Sequence, residues 1–253
     1  MTAETNGTFT VISPTVDIGT GTHTIEQQMV ASEMNVPLSH VHVSQGDTDT
    51  TPYDEGPRAS RVTYTEGQAI VKACQEIRQA ILDGVGMPHT VTLEHHAPEP
   101  EDITYFSAQV AEVDVDNETG QVQIRRLVTA HDVGTIINPL THQGQIDGGV
   151  VTGLGLAVSE ELMLDGGQVI NGNLGEYKMP TIADIPPLET ILVHTDDGTG
   201  PYESKAIGEL ANNATAAAIA NAVADATGCQ LFELPITSER VYRVFHADRE
   251  TNK

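Results

Sequence analysis

The chain is poor in cysteine and in aromatic side chains. Its 253 residues include two cysteines, no tryptophan and 4% aromatic residues. Two thiols are too few for a disulfide framework or for the thiolate set of an iron–sulfur cluster, and no CxxC pair is present. Cys74 and Cys229 are therefore predicted to be small core residues.

Positive charge is also scarce. Twelve Lys and Arg stand against 36 Asp and Glu, which gives a formal net charge of −24. Binding to nucleic acid or to an anionic membrane needs clustered basic side chains, so neither partner is expected. The carboxylate excess has two interpretations: a hydrated surface in a salt-adapted, halophilic host, or an ordinary acidic cytosolic protein.

Long apolar runs are missing as well. No stretch approaches the roughly 20 apolar residues of a membrane span, and residues 1–5 show neither region of a signal peptide. We therefore expect a cytoplasmic protein. With 39% hydrophobic residues, the chain has enough apolar material for a core in one or two domains.

Extended and helical segments alternate along the first part of the chain. Residues 9–12 predict a strand, which leads to a glycine loop at residues 19–21 and a helix over residues 25–34. Thr24 and Gln27 fit a capping box at the start of that helix. Backbone N–H groups at the helix start are then expected to face the loop.

Further along, apolar residues at spacings of four, three and four predict a helix over residues 66–82. A stretch rich in glycine and proline at residues 83–102 predicts a boundary, with domains over residues 1–90 and 91–253. Glycines at residues 144–164 predict a helix that closely approaches another backbone or a ligand. The other predicted elements are an extended segment at 36–43, a hairpin of strands at 106–115 and 122–128, a strand at 188–194, and a helix at 214–227 that ends at Gly228.

The glycine loop admits two interpretations. Gly19 and Gly21, between a strand and a helix, would let a phosphate approach the backbone. The loop lacks the third glycine of a dinucleotide fingerprint and the lysine of a P-loop, so both common nucleotide motifs are excluded. A plain tight turn is the alternative, and a phosphate-binding protein that uses this loop alone is a further one.

Two histidine pairs, His40 with His42 and His95 with His96, suggest a metal site. Neither pair has cysteine or carboxylate partners at the spacing that zinc requires, so surface or sheet histidines are favoured. No metal ligand is therefore assigned.

Glu209 follows a stretch of Asp, Gly and Pro and precedes a predicted helix. Burial in a glycine-lined cavity would raise its pKa and make it a general base. The alternative is a helix-capping carboxylate, which the spacing alone favours.

Several motifs occur in a fixed order along nearly the whole chain. They are Asp17–Thr24, Gly46–Pro52, Ala59–Arg61 with Gly67–Ala69, His131–Gly134 with Ile137–Pro139, Gly144–Gly149, Lys205–Glu209 and Leu234–Thr237. Together they resemble the molybdopterin-binding subunit of the xanthine dehydrogenase, aldehyde oxidase and carbon monoxide dehydrogenase family.

The resemblance implies an α+β fold of two-layer sheet-and-helix subdomains. It makes residues 1–90 one molybdopterin-binding subdomain with the glycine loop, and residues 91–253 a second one that carries a catalytic glutamate. Molybdenum would be held by the dithiolene of a pyranopterin, in a cytosine dinucleotide or mononucleotide form, without direct protein ligands. The positions that match cofactor-contacting residues of the family are Ile18, Gly19, Thr20 and Gly21 in the loop, Ala59 and Ser60 beneath the metal, and the amide of Gln145.

The same resemblance makes Glu209 the catalytic base, which accepts a proton from the oxygen nucleophile. The implied reaction is oxidation of an aldehyde or a (hetero)aromatic carbon, with water as the oxygen source. Two departures are Thr20, where many relatives carry Gln, and Leu210, where many carry Pro. Arg58 and Arg61 differ from the small residues of purine-oxidising relatives and look similar to branches that act on other substrates.

The resemblance covers about the carboxyl-terminal third of the usual subunit. It implies a partner chain that supplies the amino-terminal portion, with a [2Fe-2S] subunit and an FAD subunit for electron exit and a small-molecule substrate. The alternative is a truncated, non-catalytic scaffold or assembly module of such a complex.

Overall fold

The computed structural model describes residues 1–44, 46–95 and 105–251, with side chains up to residue 247. The chain divides into two compact units that interleave along the sequence. The first unit comprises Met1–Tyr105, Asp132–Gly144 and His194–Gly208, and the second comprises Phe106–His131, Gln145–Val193 and Glu209–Lys253. The assignment of residues 1–90 and 91–253 as two molybdopterin-binding subdomains stays a prediction. His96, Pro98 and Pro100 lie outside the described residues.

The first unit is a mixed sheet covered by two helices. Its strands are β1 (Thr2–Ala3), β2 (Phe9–Ile12), β3 (Val41–Ser44) and β4 (His89–Thr90), and its long helices are α1 (Thr22–Met34) and α2 (Val62–Leu82). The sheet order is β3-β2-β1-β4, with β2 and β3 parallel and β1 antiparallel to both of its neighbours.

The core of this unit forms because apolar positions recur at the period of each element. Phe9 and Val11 of β2 are buried, and they join the buried face of α2, which includes Ile70, Cys74 and Ile77. This confirms the helix that the spacing predicts and the core position of Cys74.

The predicted capping box at α1 is wrong. The helix begins at Thr22 after Gly21, which has a left-handed φ of 80° and gives no side-chain cap. Thr24 lies inside the helix. Gln27 instead donates hydrogen bonds to the carbonyl oxygens of Leu38 and Val41, at 3.0 and 2.8 Å, because a polar side chain one turn into the helix can reach the adjacent turn and strand.

The second unit is an antiparallel sheet with helices. Strands β5 (Ser107–Val115) and β6 (Val122–Asp132) form the predicted hairpin, and β9 (Leu188–Val193) lies beside β6. A short hairpin, β7 (Leu164–Asp165) and β8 (Gln168–Val169), lies apart from this sheet. The helices are α3 (Pro139–Val158), whose first turns belong to the first unit, then α4 (Leu174–Tyr177), α5 (Thr215–Thr227) and α6 (Ser238–Thr251).

Helix α3 is displaced from its predicted bounds at both ends. It begins at Pro139 because Asn138 caps it: the side-chain oxygen of Asn138 accepts hydrogen bonds from the backbone N–H groups of Leu140 and Thr141, each at 3.1 Å. It ends at Val158, so the prediction of helix up to residue 164 is wrong. Helix α5 does end at Gly228, as predicted, with a φ of 74°.

Two glycines of α3 permit close packing in the second unit. A Cβ at Gly149 would lie 2.7 Å from the Cβ of Ala211, and one at Gly153 would lie 2.6 Å from the Cβ of Thr215. The steric role predicted for these glycines therefore has a physical basis. Among the described helices, none combines the length and the apolar composition needed to cross a membrane.

Gly153→Ala is expected to destabilise the second unit by about 1–3 kcal/mol, because the added methyl group overlaps Thr215 and forces the backbone to shift. The control is Gly148→Ala, where no atom lies within 4 Å of the new Cβ. That variant should gain about 0.5–1 kcal/mol from helix propensity. Chemical denaturation followed by circular dichroism measures both, and equal effects would contradict the packing argument.

Candidate active site

In the first unit, a buried lysine forms ion pairs with two aspartates and so joins two of the sequence motifs. The ammonium group of Lys205 lies 2.6 Å from Oδ2 of Asp132 and 2.7 Å from Oδ1 of Asp197. The Lys205 side chain is 1% exposed and that of Asp132 is 7% exposed, whereas Asp197 faces solvent. Thr195 donates a hydrogen bond of 2.6 Å to the second oxygen of Asp132, so both oxygens of this carboxylate are satisfied.

Backbone contacts join the same two motifs. The N–H of Lys205 donates to the carbonyl oxygen of Val133 at 3.2 Å, and Gly134 pairs with Ser204 in an isolated antiparallel bridge. Gly134 has a φ of 58°, and a side chain there would collide with the carbonyl oxygen of Glu203. The segment up to Gly208 is therefore held by residues that lie some 70 positions earlier, as in the 73-residue separation between Lys205 and Asp132.

Electrostatic interactions favour the charged forms of Lys205 and Asp197. Burial lowers the pKa of Lys205, but the hydrogen bonds and charges of Asp132 and Asp197 outweigh it, so the pKa lies above the ordinary lysine value. The hydrogen bond from Lys205 holds the pKa of Asp197 below its usual range. Sequence reasoning assigned no role to these residues. The available signal was a lysine inside a motif, in a chain that has only four lysines.

Glu209 begins the last segment of the second unit. It lies in a turn, and α5 starts six residues later, at Thr215 after Ala214, without a side-chain cap. The alternative of a helix-capping carboxylate for α5 is therefore wrong. The side chain is exposed in this chain. The part of the chain that the structure describes does not supply the burial expected for this glutamate.

The glycine loop is organised by its own aspartate. Oδ1 of Asp17 accepts hydrogen bonds from the N–H groups of Gly19 and Gly21, at 2.9 and 3.1 Å. Partial burial raises the pKa of Asp17, but these bonds and the backbone N–H of His23 hold it below its ordinary value. The N–H groups of Gly19 and Gly21 therefore bind the carboxylate of Asp17. This carboxylate occupies the position relative to the loop in which a phosphate was expected.

The surface of this loop remains accessible. Ile18 is 66% exposed, and a Cβ built on Gly19, whose φ is 100°, would meet no atom within 4 Å. The hydroxyl groups of Thr20 and Thr22 lie 3.0 Å apart and share a hydrogen bond. Gly21 packs against Thr141, so its lack of a side chain serves the interior of the unit.

Ala59 and Ser60 are consecutive residues in the left-handed region, with φ of 51° and 54°. This conformation costs an L-residue about 1–2 kcal/mol, so it persists only where the surroundings enforce it. The guanidinium group of Arg61 bonds both oxygens of Asp54, each at 3.0 Å, and the carbonyl oxygen of Gly56. These contacts hold the loop that precedes α2.

Gln145 lies on α3 and is half-buried. Within the described residues, its side-chain amide has no hydrogen-bond partner. The first unit thus contains the candidate residues Ile18, Gly19, Thr20, Gly21, Ala59 and Ser60, and the second contains Gln145 and Glu209.

His40 and His42 form no metal site in the described part of the chain, and the pair of His95 with His96 includes a residue outside it. His42 and His23 line a shallow surface depression with Thr24 and Gln27. No group of three or more His, Cys, Asp or Glu side chains suited to a metal ion occurs among the described residues.

Lys205→Met is expected to cost about 3–5 kcal/mol of unfolding free energy, because Asp132 would keep a buried charge without a partner. The matched control is Arg126→Met, which removes ion pairs to Glu112 and Glu189 whose side chains are 53–62% exposed. That change should cost at most about 1 kcal/mol. Urea denaturation at neutral pH measures both, and similar losses would contradict the role of the buried pair.

Comparison with known proteins identifies the family to which these motifs belong. A family model described as a molybdopterin cofactor-binding domain matches residues 1–94 and 84–186. The chain is 34% identical over 286 residues to a putative xanthine dehydrogenase molybdenum-binding subunit of Escherichia coli, covering 95% of this chain and 38% of that protein. It is 32% identical over 272 residues to an aldehyde oxidoreductase molybdenum-binding subunit of the same species, covering 94% and 37%.

The fold is similar to that of a solved enzyme. Quinoline 2-oxidoreductase from Pseudomonas putida superposes with a TM-score of 0.85 at 26% identity, covering 97% of this chain and 37% of that one. The chain therefore spans less than two fifths of these relatives. The α+β fold predicted from the motifs is confirmed. The chain belongs to the molybdopterin-binding family of xanthine dehydrogenase, aldehyde oxidoreductase and carbon monoxide dehydrogenase large subunits, of which it matches a part.

Proposed function

We propose that this chain forms part of the molybdopterin site of a hydroxylase that oxidises an aldehyde or a (hetero)aromatic carbon, with water as the oxygen source. The observation that carries the proposal is the anchored segment 204–208, which the Asp132–Lys205 pair holds immediately before Glu209. A buried ion pair with satisfied hydrogen bonds is a costly way to fix a loop, and such fixed geometry is what a catalytic carboxylate needs.

The candidate residues suit a polar cofactor that is bound through hydrogen bonds. The loop at residues 18–21 offers the hydroxyl group of Thr20 and open space above Gly19, and Gln145 offers an amide without a partner in the described chain. We assign these residues, with Ala59 and Ser60, to a pyranopterin in dinucleotide or mononucleotide form. When bound, its molybdenum supplies the redox chemistry.

Glu209 is assigned as the general base. A carboxylate must lose most of its contact with water to reach a pKa near neutrality, since desolvation disfavours its charged form. Because Glu209 is exposed in this chain, its burial must come from the polypeptide that completes the site.

The share of the relatives that this chain covers supports a proposal for that polypeptide. The chain covers 37–38% of the molybdenum-binding subunits that it resembles. We propose a partner chain that corresponds to the amino-terminal part of those subunits, together with a [2Fe-2S] subunit and an FAD subunit that receive the electrons. We propose a cytoplasmic location for this assembly.

An exposed apolar surface in the second unit is the proposed contact for the partner chain. We define the 162–182 surface by its apolar side chains, each more than half exposed: Leu162 58%, Leu164 62%, Ile170 56%, Leu174 68%, Met179 54% and Ile182 88%. Apolar side chains clustered along one short segment commonly mark a protein contact.

A second candidate is a non-catalytic scaffold or assembly module of such a complex. The exposure of Glu209 favours it, because a general base of this kind needs a carboxylate that is shielded from water. The next two experiments separate the candidates.

Glu209→Gln in the assembled complex should leave the molybdenum content unchanged and lower turnover by about 100- to 10,000-fold, because only the proton acceptor is removed. The control is Glu233→Gln, another exposed carboxylate of the second unit, which should retain full activity. Metal analysis and steady-state kinetics give the two readouts. Unchanged turnover in Glu209→Gln would support the scaffold function.

Co-expression with the proposed partner should yield a complex that contains molybdenum, and Leu174→Glu should reduce recovery of that complex. A charge within the 162–182 surface would have to be desolvated on binding. The control is Leu82→Glu, at a leucine of the first unit that is 74% exposed. Equal recovery of both variants would rule out this surface, and a fully assembled complex without molybdenum would rule out the enzyme.

A further inference from the structure

A pair of glutamates in the first unit, Glu26 on α1 and Glu66 on α2, lies apart from the residues discussed above; Glu26 is buried and Glu66 is half-buried. Oγ of Ser13 lies 2.9 Å from Oε1 of Glu26 and 2.6 Å from Oε1 of Glu66. Ser13 is 1% exposed and Glu26 is 2% exposed. The outer oxygen, Oε2, of each glutamate is also buried and has no hydrogen-bond partner within the described chain.

These distances require a proton on one of the two carboxyl groups. The Ser13 hydroxyl has a single hydrogen, so it can donate to only one carboxylate. If both glutamates were ionised, the other short oxygen–oxygen contact would be repulsive. If one is protonated, it donates to Oγ of Ser13, which donates in turn to the other. The hydroxyl oxygen also accepts the N–H of Thr15 at 3.2 Å.

No cation compensates the pair within the described residues. The two cationic side chains of α2 are engaged elsewhere: Arg78 bonds Glu33, and Lys72 bonds His95. Neither Glu26 nor Glu66 forms an ion pair in this part of the chain. Two negative charges here would have neither counter-charge nor water.

The other elements that pack against α1 add no positive charge to the pair. Strand β2 carries no titratable residue, and β3 and the turn before it carry His42 and His40, neither of which acts on Glu26. Asp17, in the segment before α1, adds negative charge. Burial and then the charge of Glu66 raise the pKa of Glu26 to about 9, against the opposing hydrogen bond from Ser13.

We propose that Glu26 and Glu66 share one proton through Ser13 at neutral pH and act as a pH-dependent latch between α1 and α2. Ser13 begins the segment that leads through Asp17 to Gly21. Loss of the proton places two like charges on facing helices and removes one of the two hydrogen bonds that join Ser13 to the carboxyl groups. The latch therefore ties the position of the glycine loop to the protonation of the pair, and it stands whether or not the proposed cofactor binds.

Because the pKa of Glu26 is raised in the folded state, the direction in which stability changes with pH can be worked out. The folded state holds the proton more tightly than the unfolded chain, so the stabilising contribution is complete below a pH of about 4.5. It declines as the pH rises and is lost once the pH passes about 9. In this window each pH unit raises the unfolding equilibrium constant about tenfold.

Infrared spectroscopy of the full chain tests the shared proton directly. The carbonyl band of one protonated carboxylic acid should be present at pH 7, lose half of its intensity near pH 9, and be absent in Glu26→Gln. Glu76→Gln, at an exposed position on α2, should retain it. A wild-type spectrum without the band at pH 7 would overturn the proposal, and this titration needs no variant to fold.

Thermal unfolding gives a second readout. The midpoint of the wild-type chain and of Glu76→Gln should fall between pH 6 and pH 9, and that of Glu26→Gln should be nearly independent of pH, because its neutral amide has no proton to lose. Equal pH dependence in all three would overturn the latch. So would a wild-type midpoint that rises with added K⁺, Na⁺ or Ca²⁺ in the absence of the infrared band, since the pair would then bind a cation.

Discussion

The ion pair between Lys205 and Asp132 is the interaction on which the segment that precedes Glu209 depends. It joins two sequence motifs that are 73 residues apart, and it does so in the interior, where an unpaired charge is costly. Thr195 and Asp197 complete the hydrogen bonding. The neighbouring backbone contacts of Val133 and Gly134 then fix the segment that ends at Gly208.

Three carboxylates of the first unit are each stabilised in a different way. Asp132 is paired with a lysine, Asp17 accepts backbone N–H groups, and Glu26 is held neutral beside Glu66. A chain with three times as many acidic as basic residues cannot give each carboxylate a cationic partner. Hydrogen bonding and protonation replace the missing charges.

Local patterns in the sequence predicted the elements whose determinants are local. The helix at residues 66–82, the hairpin that includes β5 and the end of α5 at Gly228 follow from spacing, turn residues and a left-handed glycine. The capping box failed because Gly21 allows α1 to begin earlier. The early start of α3 at Pro139 was missed, although Asn before Pro is a helix-start signal.

The candidate site was predictable only as a set of positions. Motif resemblance gave Gly19, Ser60, Gln145 and Glu209, but no local pattern indicates that Asp17 occupies the loop N–H groups or that Lys205 meets Asp132. Such contacts depend on how distant segments pack. The chain covers only 37–38% of the molybdenum-binding subunits that it resembles, so its sequence holds no pattern for contacts with the remainder.

Glu209 is proposed to become buried when the partner chain completes the site. Carbodiimide labelling of carboxylates, quantified at Glu209 by mass spectrometry in the isolated chain and in the assembled complex, tests it most directly. We expect ready labelling of Glu209 in the isolated chain, where the side chain is exposed, and strong protection in the complex. Equal labelling in both would contradict it.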